Sequence, residues 1–143
     1  MSVAFNKFQS FVQNIANKKI DLSADTFKVM LTNTAPIATN ALYGDISSNE
    51  VANGNGYLTG GLAVTITSSV QTTGTLKWIV NQPVLTATGA VGTFRYAVLY
   101  DTTPTSPLKP LIAWFDYASS VTMANGDTFT LSFDGSAGVL TIA

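Results

Sequence analysis

Four aspartates, Asp101, Asp116, Asp127 and Asp134, fall at the ends of strand-like segments, and their carboxylates are the groups in this sequence best placed to do chemistry. Two of them converging at one edge of a β-sandwich would make a general acid and base, or supply oxygens to a calcium ion. The competing reading is local, because aspartate favours turns and strand ends, where its carboxylate binds nearby backbone amides. The chain has no histidine and no cysteine. That removes Ser–His–Asp and Cys–His nucleophilic arrangements together with the usual zinc and iron sites. No calcium loop of the EF-hand spacing is present. The stretch NGNGYLTGG has the glycines of a phosphate loop without the spacing: no Gly-Lys-Ser/Thr follows, and it leads into a strand rather than a helix. Catalytic, cofactor-binding and metal-binding residues are therefore all assigned as none, and no enzymatic activity is expected.

Aromatic side chains offer a second kind of chemistry, stacking. Tyr43, Tyr57, Trp78, Trp114 and Tyr117 are the candidates for contact with a sugar ring or a protein partner. In LIAWFDY, Trp114 and Phe115 are adjacent, so a strand sends one large ring to each face. At least one packs in a core; the other lies under a second layer or meets a partner.

These side chains need strands to hold them, and the sequence supplies strands from Thr26 onward. TFKVMLT, LAVTIT, TLKWIV, PVLTAT, TFRYAVLYD, PLIAWFDY, DTFTLSF and GVLTIA have the composition or period-two pattern of short strands, separated by Gly-, Asn- and Pro-bearing turns. TSSVQTTG and ASSVTMANG read as turns, and DGSAG as the bend of a terminal hairpin. About eight strands at this spacing predict a mainly β protein: an antiparallel β-sandwich, jelly-roll-like, forming one domain over residues 1–143.

Two segments break the pattern. Residues 1–20 place Phe5, Phe8, Phe11, Val12 and Ile15 at helical spacing, a short N-terminal amphipathic α-helix with Lys18 and Lys19 at its C-terminal pole. It either covers an open end of the core or reaches a neighbouring subunit. Residues 33–61 have little periodicity, and a connector of that length marks a functional or assembly loop. TTPTSPLKP carries Pro104, Pro107 and Pro110, stiff enough to bridge two sheets as a crossover or to project as a contact.

In TFRYAVLYD, Phe94, Tyr96, Val98 and Tyr100 alternate with Arg95, Ala97, Leu99 and Asp101. The aromatic row is expected to fill the sandwich interior, while Ala97 and Leu99 lie under the helix or a neighbouring subunit. Arg95 then needs an acidic partner, for which Asp116 is the expectation.

Charged residues make up 10% of the chain, against about 25% in soluble domains generally. The net charge of −1 gives no positive field for phosphates, so nucleic acid is not an expected partner. No run of about 18 apolar residues is present to span a bilayer, and the start of the chain lacks the pattern of a secretory signal, so synthesis in the cytoplasm without membrane attachment is expected. A surface of Thr, Ser, Asn and Gly suits coverage by other subunits. The interface candidates are Phe5, Phe8, Phe11, Tyr43, Tyr57, Pro104, Pro107 and Trp114.

The order FNKFQSFV, TFKVMLTNTAP, GNGY with GG, FRYAVLYD, LIAWFDY and GDTFTLSFD with GVLTIA resembles small structural proteins of tailed bacteriophages, the head decoration or cement proteins. The resemblance covers nearly the whole chain, and none of its motifs is catalytic. It implies a virion protein on the outer surface of the capsid, bound to the major capsid protein as a dimer or trimer and stabilising the assembled head. A tail or fibre component and a carbohydrate-binding β-sandwich module are the alternatives.

Overall fold

The structure, a computed structural model, describes residues 3–143; Met1 and Ser2, the start of the segment expected to be helical, lie outside them. Ten strands and one α-helix follow in the order β1 (Asn6–Lys7), α1 (Gln9–Ala16), β2 (Phe27–Thr32), β3 (Leu62–Val64), β4 (Ile66–Thr72), β5 (Thr75–Val80), β6 (Val84–Thr86), β7 (Val91–Asp101), β8 (Leu111–Met123), β9 (Thr128–Thr130) and β10 (Leu140–Ile142). They form an antiparallel five-stranded sheet, β1-β8-β7-β2-β3, facing a three-stranded sheet, β10-β5-β4, and the pair β6-β9. The mainly β, antiparallel class read from the sequence is what the chain adopts, with its strands divided five, three and two.

One apolar cluster fills the space between the layers. Phe27, Val29, Leu31, Ala97, Leu99 and Ala113 from the large sheet meet Trp78, Val80, Leu85, Leu131, Phe133 and Leu140 from the other side. A second cluster, Phe8, Met30, Ile46, Val98, Tyr100 and Leu111, lies on the opposite face of the large sheet. That sheet is covered twice, which is why residues 97–101 of β7 are buried without alternation.

The expected facing of β7 is therefore corrected. Ala97 and Leu99 point into the sandwich, whereas Val98 and Tyr100 point the other way, beneath the N-terminal arm and the 33–61 segment. Phe94 is buried with Ala97, while Tyr96 is only half-buried. The cause is a bulge: Phe94 pairs with Val121 and Tyr96 with Asp116, so Arg95 alone opposes residues 117–120 and the period-two count fails at that point.

The N-terminal helix is shorter than residues 1–20. Asn6 and Lys7 leave it to pair with Trp114 and Ala113, and the Phe8 amide bonds Ile112 O at 3.1 Å. At the other end Lys18 takes φ 56°, its amide donates to Ile15 O, and the Lys19 amide donates to Asn14 O. These two bonds are the Schellman closure, and both lysines fall beyond the last helical turn.

Four expected connections also differ. TSSVQT is strand, forming most of β4 and closed onto β5 by the two-residue turn Thr73-Gly74, and β8 continues through ASSVTM. TTPTSPLKP joins β7 to β8 within one sheet rather than crossing between sheets. The terminal hairpin does not form: β9 pairs with β6 and β10 with β5. Asp134 closes a turn by accepting the Ser136 and Ala137 amides, and Gly138, at φ 85°, brings the chain against β5, where an added Cβ would sit 2.7 Å from Trp78 O.

Candidate functional site

The four aspartates do not converge, and each is engaged where it stands. Asp127 accepts the Ala124 amide at 2.8 Å, and Asp134 accepts two amides that hold its carboxyl below the usual range. Asp116 takes a two-pronged contact from Arg95, Nε to Oδ1 at 2.7 Å and Nη2 to Oδ2 at 2.9 Å, as expected from the sequence. The Arg95 bond and then the Ala118 amide lower its pKa. Asp101 is different. It is fully buried, its Oδ1 accepts the Thr103 amide at 2.9 Å, and its Oδ2 has no partner. Burial, and then the Asp25 carboxyl beside it, push its pKa up to about 8. Among the described residues no three acidic side chains gather in a way that would hold a metal ion.

The aromatic candidates separate by burial. Phe8 and Tyr57 have no exposed surface, and Phe11 is buried, so these three are core residues and the interface assignment made for them is corrected. Trp78 is buried edge-to-face with Phe27 at 4.8 Å. Trp114 is half-buried with its ring 4.7 Å from Phe8, and Phe5 is half-buried against Phe115 at 5.9 Å.

Tyr43 and Tyr57 instead serve Glu50, a residue that no local pattern singles out. Tyr57 donates to Glu50 Oε1 at 2.7 Å and accepts the Leu31 amide at 3.0 Å; the Gly60 amide donates to the same Oε1 at 2.7 Å. Tyr43 donates to Oε2. Tyr43 also stacks on Tyr100, centroids 4.7 Å apart, and Tyr100 donates to Gly60 O at 2.6 Å. Burial first, then the bond to Glu50, raises the pKa of Tyr43 and of Tyr57, so both remain donors through the neutral range. Gly61, at φ 91°, completes the docking: an added Cβ would lie 1.9 Å from Val29 O. The long 33–61 segment is thus pinned to β2 along its length, with the Val51 amide on Leu31 O at 2.9 Å and the Thr32 hydroxyl on Asn49 O at 2.6 Å.

This pinning builds a shoulder. The Tyr43 amide donates to Lys109 O at 2.9 Å and the Leu111 amide to Ala41 O at 2.9 Å, which sets the 33–61 segment beside the proline segment of residues 102–110. Pro104 and Pro107 are half-buried in it, and the Lys109 amide closes back on Pro104 O. From the two segments Ile37 and Leu108 project, 60% and 57% exposed. Lys109 reaches over the Tyr43 ring at 5.1 Å.

On another side of the molecule a cleft of about 590 Å³ opens between β7–β8 and the residues after β9. Phe5, Phe115 and Phe133 line one wall in successive edge contacts, and Tyr117 and Phe94 both pack edge-on against Phe129. Its charged neighbours are the Arg95–Asp116 pair and Asp134, already engaged. The cleft offers apolar contact and no free acid or base.

No helix among the described residues is long and apolar enough to cross a membrane. Comparison with protein-family models, with curated proteins and with solved structures finds nothing that matches this chain.

Proposed function

We propose that this chain is a bacteriophage virion structural protein, a capsid decoration or cement protein that binds the outer surface of the assembled head and stabilises it by bridging major capsid protein subunits. The observation that carries this reading is the shoulder made by residues 33–61 and 102–110. Loops of that length normally lose conformational freedom when they bind. Here the Glu50 cluster, the main-chain bonds between the segments and the prolines fix them beforehand, so Ile37 and Leu108 are offered at little further cost in entropy. The four aspartates weighed as candidate acids or calcium ligands are used in holding turns, an ion pair or a buried strand end.

A ligand that binds the assembled shell and not free subunits adds its binding energy to the assembled state alone. Wide, uncharged, preformed contact serves that role better than a deep pocket. Copies linked as a homo-oligomer would hold the lattice by avidity.

The test is addition of the purified chain to expanded empty heads, followed by sedimentation. Saturable, stoichiometric recovery with heads is expected, and Leu108→Asp or Ile37→Asp should release the chain while leaving it folded. Recovery with tails would favour a tail or fibre component instead. Binding to a glycan with no affinity for either particle would favour a carbohydrate module.

A further inference from the structure

Every sheet has edges, and in this molecule one edge is unlike the others. Of the outer strands, β1 has two residues and β3, β6, β9 and β10 have three each. β8 is free beyond its contact with β1, but the bulge at residues 117–120 interrupts it. β4 runs seven residues at the edge of its sheet and pairs regularly with β5 from Ser68 to Thr72. Ser68-Ser69-Val70-Gln71-Thr72 contains no charge and no proline, the devices that normally blunt an open edge. Val70 is 60% exposed on it.

The direction of the free backbone groups follows from the turn. Thr73 and Gly74, at φ 51° and 85°, form a two-residue hairpin turn, which makes Thr72 and Thr75 a hydrogen-bonded pair. Alternation then turns the amides and carbonyls of Ser69 and Gln71 away from β5. The far side of β5 agrees with this phase: Trp78, the partner of Ser69, directs its carbonyl away from β4 and accepts the Val139 amide at 2.8 Å.

We propose that β4 is a self-pairing edge, joining antiparallel to β4 of a second copy about a two-fold axis at Val70. In that register Ser69 faces the partner's Gln71 and Gln71 faces the partner's Ser69. Both are hydrogen-bonding pairs, giving about four main-chain hydrogen bonds. The two Val70 side chains meet as a non-hydrogen-bonded pair, where side chains approach most closely, and cover each other. A one-residue slip would oppose outward-facing to inward-facing backbone and lose both gains. No charge lies on the edge to be repeated across the axis, and Lys77, beside Val70 on β5, has its ammonium on Ser136 O at 3.4 Å. The second copy is thus specified by the symmetry of the strand itself. The inference rests on the preceding reading only for its purpose, the linking of copies on a lattice.

The test uses the cysteine-free chain. Light scattering across a dilution series should show a dimer, and Val70→Cys should oxidise to a covalent dimer, because Cα atoms in such a pair lie about 4.5 Å apart, within disulfide range. Val84→Cys, at a comparably exposed position on β6, should not. Gln71→Pro removes an outward amide that β5 does not use, so the monomer should stay folded by circular dichroism while association weakens about tenfold or more. A chain monomeric at every concentration, a dimer unaffected by Gln71→Pro, or equal cross-linking of the two cysteine variants would overturn the pairing. A chain that dimerises in this way but ignores heads would sink the decoration role and leave the strand pairing standing; one that binds heads as a monomer would do the reverse.

Discussion

Arg95 and Asp116 face each other across β7 and β8, both side chains about one-third exposed, at the point where one residue of β7 opposes four of β8. The pair itself adds little, since water screens charges at that exposure. Asp116 does more than pair: its Oδ1 also accepts the Ala118 amide at 2.7 Å, and Ala118 stands at φ 69°. The aspartate therefore shapes the bulge, and the arginine only joins it.

The two partners should consequently respond differently to removal. Arg95→Met is expected to leave the urea midpoint almost unchanged, whereas Asp116→Ala, which removes the acceptor that holds Ala118 in its left-handed conformation, lowers it clearly. Because the Asp116 pKa is depressed, its contribution is present above the unfolded carboxylate value and is lost as pH falls. Equal midpoints for the two variants at neutral pH would show that the ion pair, and not the bulge, carries the effect.

Tyr57→Phe tests the pinning of the 33–61 segment. The hydroxyl joins the Leu31 amide to Glu50, and its loss leaves a buried amide without a partner, at a cost of about 1–3 kcal/mol. Limited proteolysis should then cut between Asn33 and Gly61 at a rate that the parent chain resists. Tyr117→Phe, on an exposed ring, is the control and should change neither stability nor cleavage.

How much of this was legible beforehand depended on whether the cue was local. The apolar alternation in TFKVMLT and TLKWIV, and the Arg95–Asp116 pairing, come from short-range pattern and the need of a charge for a partner. The facing of Val98 and Tyr100 did not, because the bulge that breaks the alternation after Phe94 involves residues 117–120 on another strand. Nor did Glu50, whose three donors come from Tyr43, Tyr57 and Gly60 in a stretch without periodicity. Phe8 and Tyr57 read as partner-facing aromatics because nothing local revealed a second covered face on the large sheet.

Lys18 occupies the left-handed position of the helix closure, a conformation that suits glycine and strains other residues by about 1 kcal/mol or more. Lys18→Gly should therefore raise the melting temperature, with a gain of up to about 1 kcal/mol, while Lys18→Ala should give none. A lower melting temperature for the glycine variant would mean that the lysine side chain makes a contact that offsets the strain.

Asp101 sets the pH dependence above the acid range. Its pKa rises from 3.8 to about 8, so between about pH 4 and pH 8 the folded chain holds a proton that the unfolded chain has released. Stability must then fall as pH rises through that window and level off above it. The aspartates with depressed values, Asp21, Asp45, Asp116 and Asp134, act in the opposite sense, and their effect lies in the acid range, below about pH 5. The Asp25 carboxyl beside Asp101 opposes its ionisation. Asp101→Asn keeps an acceptor for the Thr103 amide and cannot ionise, so its urea midpoint should stay level from pH 5 to pH 9 while that of the parent chain declines. A parent midpoint that holds steady or climbs over the same range would show that Asp101 is already ionised in the folded state.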